Sequence, residues 1–140
     1  MPLKAHTPNL LIIVDDSSFD LRINSGIASH TKLFKQILCF PSAEEALDFL
    51  SENLDNREVF PHLILLDIQM PSMNGFDFMK RYNKFPDSFM EQSDVIMLSS
   101  TDDLVDITKV DVDKNIKRLL KKPLQIEELK GAAQELYTID

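Results

Sequence analysis

The sequence Leu63-Ile64-Leu65-Leu66-Asp67 places four aliphatic side chains directly before a carboxylate, and a turn follows at Met70-Pro71 and Asn74-Gly75. A continuous apolar run of this length is typical of a strand that is buried on both faces, as in a parallel sheet covered by helices. An ionised carboxylate is costly inside such a core. We therefore predict that Asp67 lies where the strand leaves the core.

Four other short apolar runs each precede a helical pattern. They are Leu10–Val14, Ile37–Phe40, Val95–Leu98 and Ile116–Leu120, the last being more mixed and expected near a sheet edge. Alternation of strand and helix predicts an α/β fold, a parallel sheet with helices on both faces. Five strands favour the flavodoxin-like order 2-1-3-4-5, in which ligands bind beyond the carboxyl ends of the strands.

Amphipathic spacing after each strand indicates the helices. The second helix has the clearest pattern, with a capping-box sequence that begins at Ser42. In the third helix the spacing places Phe76, Met79 and Asn83 on one side, and Phe78, Tyr82 and Phe85 flank that side. Residues 86–93 read as a polar connection. The helix after the fourth strand is weakly specified, and we expect it to be short or mobile.

Length and charge limit the possible functions. At 140 residues the chain fits one domain, which we place at residues 1–140 with a core over about 9–137. The formal net charge is −8, and the acidic residues are spread along the chain. Direct binding to nucleic acid is therefore not expected, since phosphate neutralisation requires a basic face.

The sequence carries no marks of a membrane or secreted protein. No apolar run approaches the roughly 20 residues of a membrane span, and the N-terminus lacks a signal-peptide pattern. The single cysteine, Cys39, excludes an internal disulfide. Its apolar neighbours predict that it is a small core residue. We expect a soluble, cytoplasmic protein that does not contact the membrane.

Polar side chains follow the predicted strands at one edge of the sheet. Strand 1 ends in Asp15 and Asp16, strand 3 in Asp67, strand 4 in Ser99 and strand 5 in Lys122. Three converging carboxylates repel one another, and a hard cation such as Mg²⁺ relieves that repulsion. A lysine and a hydroxyl facing the metal suit a phosphoryl group. A carboxylate held there can itself accept the phosphoryl.

Each of these residues also has a purely structural interpretation. Asp15 and Asp16 could cap the first helix, and Asp67 could cap a strand end. Ser99 could satisfy backbone groups, and Lys122 could be a surface lysine. Their coincidence at one edge of one predicted sheet favours a common site.

The chain resembles the receiver domains of two-component response regulators, of the chemotaxis-regulator type. The resemblance extends from about Leu10 to Leu136. It rests on four motifs in order: Val14-Asp15-Asp16, Leu66-Asp67-Ile68-Gln69-Met70-Pro71 through Gly75, Met97-Leu98-Ser99-Ser100, and Lys122-Pro123.

The resemblance implies a phosphoacceptor and a metal site. Asp67 would take a phosphoryl group from a phosphohistidine on a sensor histidine kinase or histidine phosphotransfer protein, and the result would act on a downstream protein target. Asp16 and Asp67 would bind Mg²⁺ directly, Asp15 through water, and Gln69 through its backbone carbonyl. The protein would be a signalling domain rather than an enzyme.

The resemblance also implies how the signal leaves the site. Ser99 and Lys122 would each contact a phosphoryl oxygen, and the bond between Lys122 and Pro123 would be cis. The shift of Ser99 would select another packing of the face from strand 4 to the last helix. Family members usually carry Tyr or Phe three residues before the lysine, where this chain has Leu119.

Two other classes of function stay open. A Mg²⁺-dependent phosphatase with an aspartyl-phosphate intermediate commonly has a second carboxylate as general acid near the nucleophile, but Gln69, two residues on, cannot transfer a proton in that way. A binding module could retain the fold without phosphorylation. The complete set of site residues argues against that class, whereas Leu119 keeps it open.

Overall fold

A five-stranded parallel sheet organises the protein, whose computed structural model describes residues 8–100 and 104–137. The strands are β1 (Leu10–Val14), β2 (Gln36–Phe40), β3 (His62–Asp67), β4 (Ser93–Ser99) and β5 (Ile116–Lys121). Their order is β2-β1-β3-β4-β5. The predicted order 2-1-3-4-5 is therefore confirmed, and β5 lies at a sheet edge as expected.

Six α-helices accompany the strands in the described part of the chain. They are α1 (Ser18–Thr31), α2 (Ala43–Glu52), α3 (Gly75–Tyr82), α4 (Asp87–Met90), α5 (Leu104–Val112) and α6 (Ile126–Leu136), with a 3₁₀ turn at Arg57–Val59. None of these helices is long and apolar enough to cross a membrane.

Alternating side chains of the strands build two hydrophobic cores, one on each face of the sheet. In β1, Leu10, Ile12 and Val14 face the core that also contains residues of α2, α3 and α5. Leu11 and Ile13 face the other core, which contains residues of α1 and α6. Because side chains alternate along a strand, each run of aliphatic residues supplies both cores.

Two sequence interpretations on the α3 side are corrected. The buried face of α3 is formed by Phe78, Met79 and Tyr82, whereas Asn83 is exposed. The predicted side and the observed buried face both have helical spacing and share Met79. The observed face contains two aromatic side chains, and it is the one that packs on the core. The polar connection at 86–93 contains α4, which is only four residues long and therefore too short to show periodicity.

Cys39 is exposed, which overturns the expectation of a core cysteine. It lies in β2, which is an edge strand with a neighbour on one side only. Apolar neighbours in sequence therefore do not ensure burial at this position. The weakly specified helix is α5, which runs nine residues and is close in length to α2 and α3.

Buried polar side chains meet at the amino ends of β3 and β4. We call them the amino-edge network: His62, Tyr82, Ser93, Asp94 and Tyr137. The Tyr82 hydroxyl donates to Ser93 Oγ at 2.7 Å, and Ser93 Oγ lies 2.7 Å from His62 Nε2. The Tyr137 hydroxyl contacts Asp94 Oδ2 at 3.0 Å and the His62 carbonyl at 3.1 Å. Hydrogen bonds thus join α3 and the end of α6 to the sheet.

Candidate functional site

Three aspartates meet at the carboxyl edge of the sheet. Parallel pairing of β1 with β3 places Val14 beside Leu66, so the residues that follow, Asp15 and Asp67, are neighbours. One carboxylate oxygen from each of Asp15, Asp16 and Asp67 lies within 4.8 Å of the others. Asp15 and Asp67 are buried, whereas Asp16 is exposed. The donors are all hard oxygens, which fits Mg²⁺ or a similar cation.

Lys122 joins this cluster from the turn after β5. Its Nζ lies 3.1 Å from Asp15 Oδ2 and 3.3 Å from Asp67 Oδ1. Its backbone N–H donates to the Ser99 carbonyl at 2.8 Å, which ties the end of β4 to this turn. The peptide bond between Lys122 and Pro123 is cis, as the resemblance implied; the bond between Phe60 and Pro61 is also cis and was not anticipated.

The cluster carries more negative charge than Lys122 balances. Burial, together with the charge of Asp15, raises the pKa of Asp67 to about 6 despite the opposing effect of Lys122. Burial of the lysine opposes its charge, but Asp67 and Asp15 outweigh that effect and raise the pKa of Lys122 above its usual range. Both shifts follow from one ammonium shared by several carboxylates. A cation would relieve the remaining repulsion.

Gln69 and Ser100 follow the ends of β3 and β4 and contact each other next to Asp67. The backbone N–H of Gln69 donates to Asp67 Oδ1 at 3.3 Å, and the Ser100 hydroxyl donates to Gln69 Oε1 at 2.8 Å. This side-chain contact bridges the loops after β3 and β4. Ser99 is buried at the end of β4, where the sequence analysis placed it.

Gly75 lets α3 begin directly against the backbone of the site. A Cβ at this position would lie 2.9 Å from the Asp67 carbonyl oxygen and 3.0 Å from Ile68 Cα. Only glycine fits without displacing the backbone. The helix start is fixed by a capping box between Asn74 and Asp77, which the sequence analysis missed because it uses Asn and Asp in place of Ser or Thr and Glu or Gln.

Asp20 is the side chain at the site that the sequence analysis did not find. Its Oδ2 lies 3.2 Å from Lys122 Nζ. A signal was present in the spacing Ser17-x-x-Asp20, a capping pattern at the start of a helix. The Ser17 hydroxyl does accept from the Asp20 backbone N–H at 3.2 Å, but the Asp20 carboxylate reaches the lysine.

Leu119 is half-buried and packs against the core that faces α2, α3 and α5. It pairs with Met97 across β4 and β5. Phe76 and Lys109, together with Gln69, line a separate cavity of about 500 Å³, and Lys109 Nζ lies 5.0 Å from the centre of the Phe76 ring. An aliphatic side chain thus occupies the position where family members usually carry an aromatic one.

The fold and the acidic carboxyl edge define the class of protein. A family model for the response regulator receiver domain matches residues 11–134, and the chain belongs to that family. Receiver domains are signalling domains and generally not enzymes.

Individual relatives cover most of this chain. A response regulator receiver protein from Dyadobacter fermentans is 34% identical, with a TM-score of 0.80, over 90% of this chain and 95% of that one. A two component response regulator from Cytophaga hutchinsonii is 24% identical, with a TM-score of 0.83, over 93% and 97%. The transcriptional regulatory protein AfsQ1 of Streptomyces coelicolor is 26% identical over 84% of this chain, which spans only 46% of that protein.

Proposed function

We propose that this receiver domain accepts a phosphoryl group on Asp67 in a cytoplasmic two-component phosphorelay. The observation that carries the proposal is the ammonium of Lys122 at 3.3 Å from Asp67 Oδ1, inside a cluster of three aspartates. A carboxylate beside an ammonium and hard-cation ligands is equipped to attack phosphorus, because the surrounding positive charge offsets repulsion between two anions.

Asp15, Asp16 and Asp67 would hold Mg²⁺, with the backbone carbonyl of Gln69 as a further ligand. When bound, Mg²⁺ supplies positive charge to the carboxylates and the phosphoryl oxygens. The chain's own contribution is mainly positioning. A carboxylate oxygen of Asp67 forms a bond to phosphorus while the bond from phosphorus to the donor histidine nitrogen breaks. The electron pair of that bond stays on the nitrogen, and Lys122 pairs with a phosphoryl oxygen.

The switch would begin at Ser99, whose hydroxyl would turn toward a phosphoryl oxygen. Ser99 and Lys122 are already coupled through the backbone hydrogen bond between β4 and the turn after β5. A shift of Ser99 would therefore favour another packing of the face that runs from β4 through α5 and β5 to α6. Leu119, which stands where family members usually carry an aromatic residue, would repack together with this face.

The partners would be proteins. Phe19 and Ile23 of α1 are 69% and 42% exposed close to the site, and they suit contact with a sensor histidine kinase or a histidine phosphotransfer protein. The face that runs from β4 to α6 would serve a downstream protein target. A net charge of −8 disfavours direct contact with nucleic acid or an anionic membrane.

The test is incubation with acetyl phosphate and Mg²⁺, followed by intact mass and hydroxylamine sensitivity. We expect one phosphoryl group on the wild type and none on Asp67→Asn. Asp48→Asn, an exposed position on α2, is the matched control and should be labelled like the wild type.

Three outcomes would contradict the proposal. Absence of labelling in the wild type would favour a binding module that does not use phosphorylation. Steady hydrolysis of small phosphoesters over many turnovers would favour a Mg²⁺-dependent phosphatase. Equal labelling of Asp67→Asn would show that another residue is the acceptor.

A further inference from the structure

One ammonium is shared by three carboxylates at the site. Lys122 Nζ lies 3.1 Å from Asp15 Oδ2, 3.2 Å from Asp20 Oδ2 and 3.3 Å from Asp67 Oδ1. An ammonium has three N–H donors. Each of them can therefore be directed at a different carboxylate.

Two of these carboxylates are also the ones that a cation would use. Asp15 Oδ1 accepts from the Ser17 backbone N–H at 2.9 Å, so Lys122 covers the other oxygen of Asp15. Lys122 also contacts Asp67. A cation that engages Asp15 and Asp67 must share these oxygens with the lysine or take them from it.

Asp20 differs from the other two because it lies outside the cluster of metal-ligand atoms. It stands in the first turn of α1, where the Ser17 hydroxyl caps its backbone N–H at 3.2 Å. Its side chain is 36% exposed, against 1% for Asp15 and 5% for Asp67. The capped start of α1 thus holds a third carboxylate next to Lys122 that is not one of the three cation ligands.

We propose that Asp20 is a positioning residue that holds the ammonium of Lys122 when a divalent cation engages Asp15 and Asp67. This inference rests on the proposed function of the site. Without Asp20, the carboxylates that contact Lys122 within the described residues are the two cation-binding ones, so the lysine competes more strongly with the cation. With Asp20, the ammonium stays beside the phosphoryl position without covering the metal ligands.

The test is a double-mutant cycle on Mg²⁺ affinity. The affinity is measured by NMR titration at constant ionic strength, with Mg²⁺ alone as the probe. Asp20→Asn should weaken Mg²⁺ binding roughly two- to fivefold, the range of a partly exposed ion pair. In a Lys122→Met background the same substitution should change the affinity by less than about twofold. Asp20→Glu should restore most of the affinity, and Asp48→Asn serves as the control for loss of one surface charge.

A second readout follows the lysine directly. The ¹⁵Nζ resonance of Lys122 should move on addition of Mg²⁺ in the wild type, and the movement should differ in Asp20→Asn. Thermal unfolding of each variant verifies that it is folded at the temperature of the titration.

The outcomes separate this inference from the proposed function. A wild type that does not bind Mg²⁺ contradicts the metal site and the inference with it. A wild type that binds Mg²⁺ and an Asp20→Asn variant of equal affinity overturn the inference alone. An effect of Asp20→Asn that persists in the Lys122→Met background also overturns it, since Asp20 would then act through its charge alone.

Discussion

The two ends of β3 carry polar clusters of opposite character. At the amino end, the amino-edge network links hydroxyl groups, an imidazole and one carboxylate by hydrogen bonds of 2.7 to 3.1 Å. At the carboxyl end, Asp15, Asp20 and Asp67 share the single ammonium of Lys122. Both clusters include buried side chains, but only the second concentrates charge of one sign.

The difference shows which kind of buried polarity marks a functional site. Within the described residues, no buried side-chain nitrogen or oxygen lacks a hydrogen-bond partner. Satisfied hydrogen bonds are therefore common to both clusters and do not distinguish them. The pKa of Asp67 is raised to about 6, which means that the carboxyl-edge cluster disfavours the ionised form of Asp67. Such a group is poised to gain from a ligand, whereas the amino-edge network already stabilises the fold.

The largest expected effect is at the amino edge. The ring of Phe89 is fully buried, and its centroid lies 5.1 Å from Phe85, 5.4 Å from His62 and 6.0 Å from Tyr82. Phe89→Ala removes these contacts and leaves a cavity. We expect the free energy of unfolding to fall by about 3–5 kcal/mol in urea titration.

The matched control for Phe89→Ala is Phe19→Ala, because Phe19 is 69% exposed. It should change the free energy of unfolding by no more than about 0.5 kcal/mol. Folded Phe89→Ala should still take up a phosphoryl group from acetyl phosphate. If it stays folded but cannot be labelled, the two edges are not separate in function.

A smaller effect is expected from Tyr137→Phe. The substitution removes the hydroxyl that contacts Asp94 and the His62 carbonyl, with little change in volume. We expect a loss of about 1–3 kcal/mol in the free energy of unfolding, since hydrogen bonds to a charged group are the stronger ones. Tyr82→Phe, which removes a bond to the hydroxyl of Ser93, should cost about 1 kcal/mol. The reverse ranking would contradict the importance of Asp94.

An effect of the opposite sign is expected at the carboxyl edge. Asp67 has a pKa of about 6 in the folded protein, mainly because of burial, against about 3.9 when unfolded. Its ionisation therefore disfavours folding, increasingly so as pH rises from about 4 to about 6, and constantly above that. In metal-free buffer at neutral pH, Asp67→Asn should raise the free energy of unfolding by roughly 1–2 kcal/mol.

The pH dependence provides the check on that sign. The difference between Asp67→Asn and wild type should shrink as pH falls through about 6 and vanish near about 4. Asp48→Asn, at an exposed position, serves as the control for removal of one surface carboxylate. A destabilised Asp67→Asn at neutral pH would mean that the ion pair with Lys122 outweighs burial and the repulsion from Asp15.

The carboxyl edge was largely predictable because the carboxyl ends of the strands can be recognised in the sequence. An aliphatic run that stops at Asp67 or at Asp15 fixes both the strand and the position of the carboxylate. The sheet order then brings those residues together, as their oxygens within 4.8 Å confirm. Asp20 was not predictable in this way, since its contact with Lys122 depends on the direction of α1 and joins residues 102 apart.

The amino edge was missed for a physical reason. His62, Ser93 and Asp94 are polar, so the sequence pattern placed the starts of β3 and β4 after them. They are nevertheless buried strand residues, because the side chains of Tyr82 and Tyr137 satisfy them from other elements. Polarity at a strand start is compatible with burial when a partner arrives from a distant part of the chain. The local sequence of a strand does not indicate which distant side chain will pair with it.

The placement of the tyrosines has an optical consequence. The chain contains two tyrosines and no tryptophan, and both tyrosines, Tyr82 and Tyr137, are 1% exposed in the amino-edge network. Intrinsic ultraviolet emission of the protein therefore originates from that edge. The strand β3 separates it from Asp67 by about 16 Å. Any change of tyrosine emission on phosphorylation would report a rearrangement that has travelled the length of the sheet.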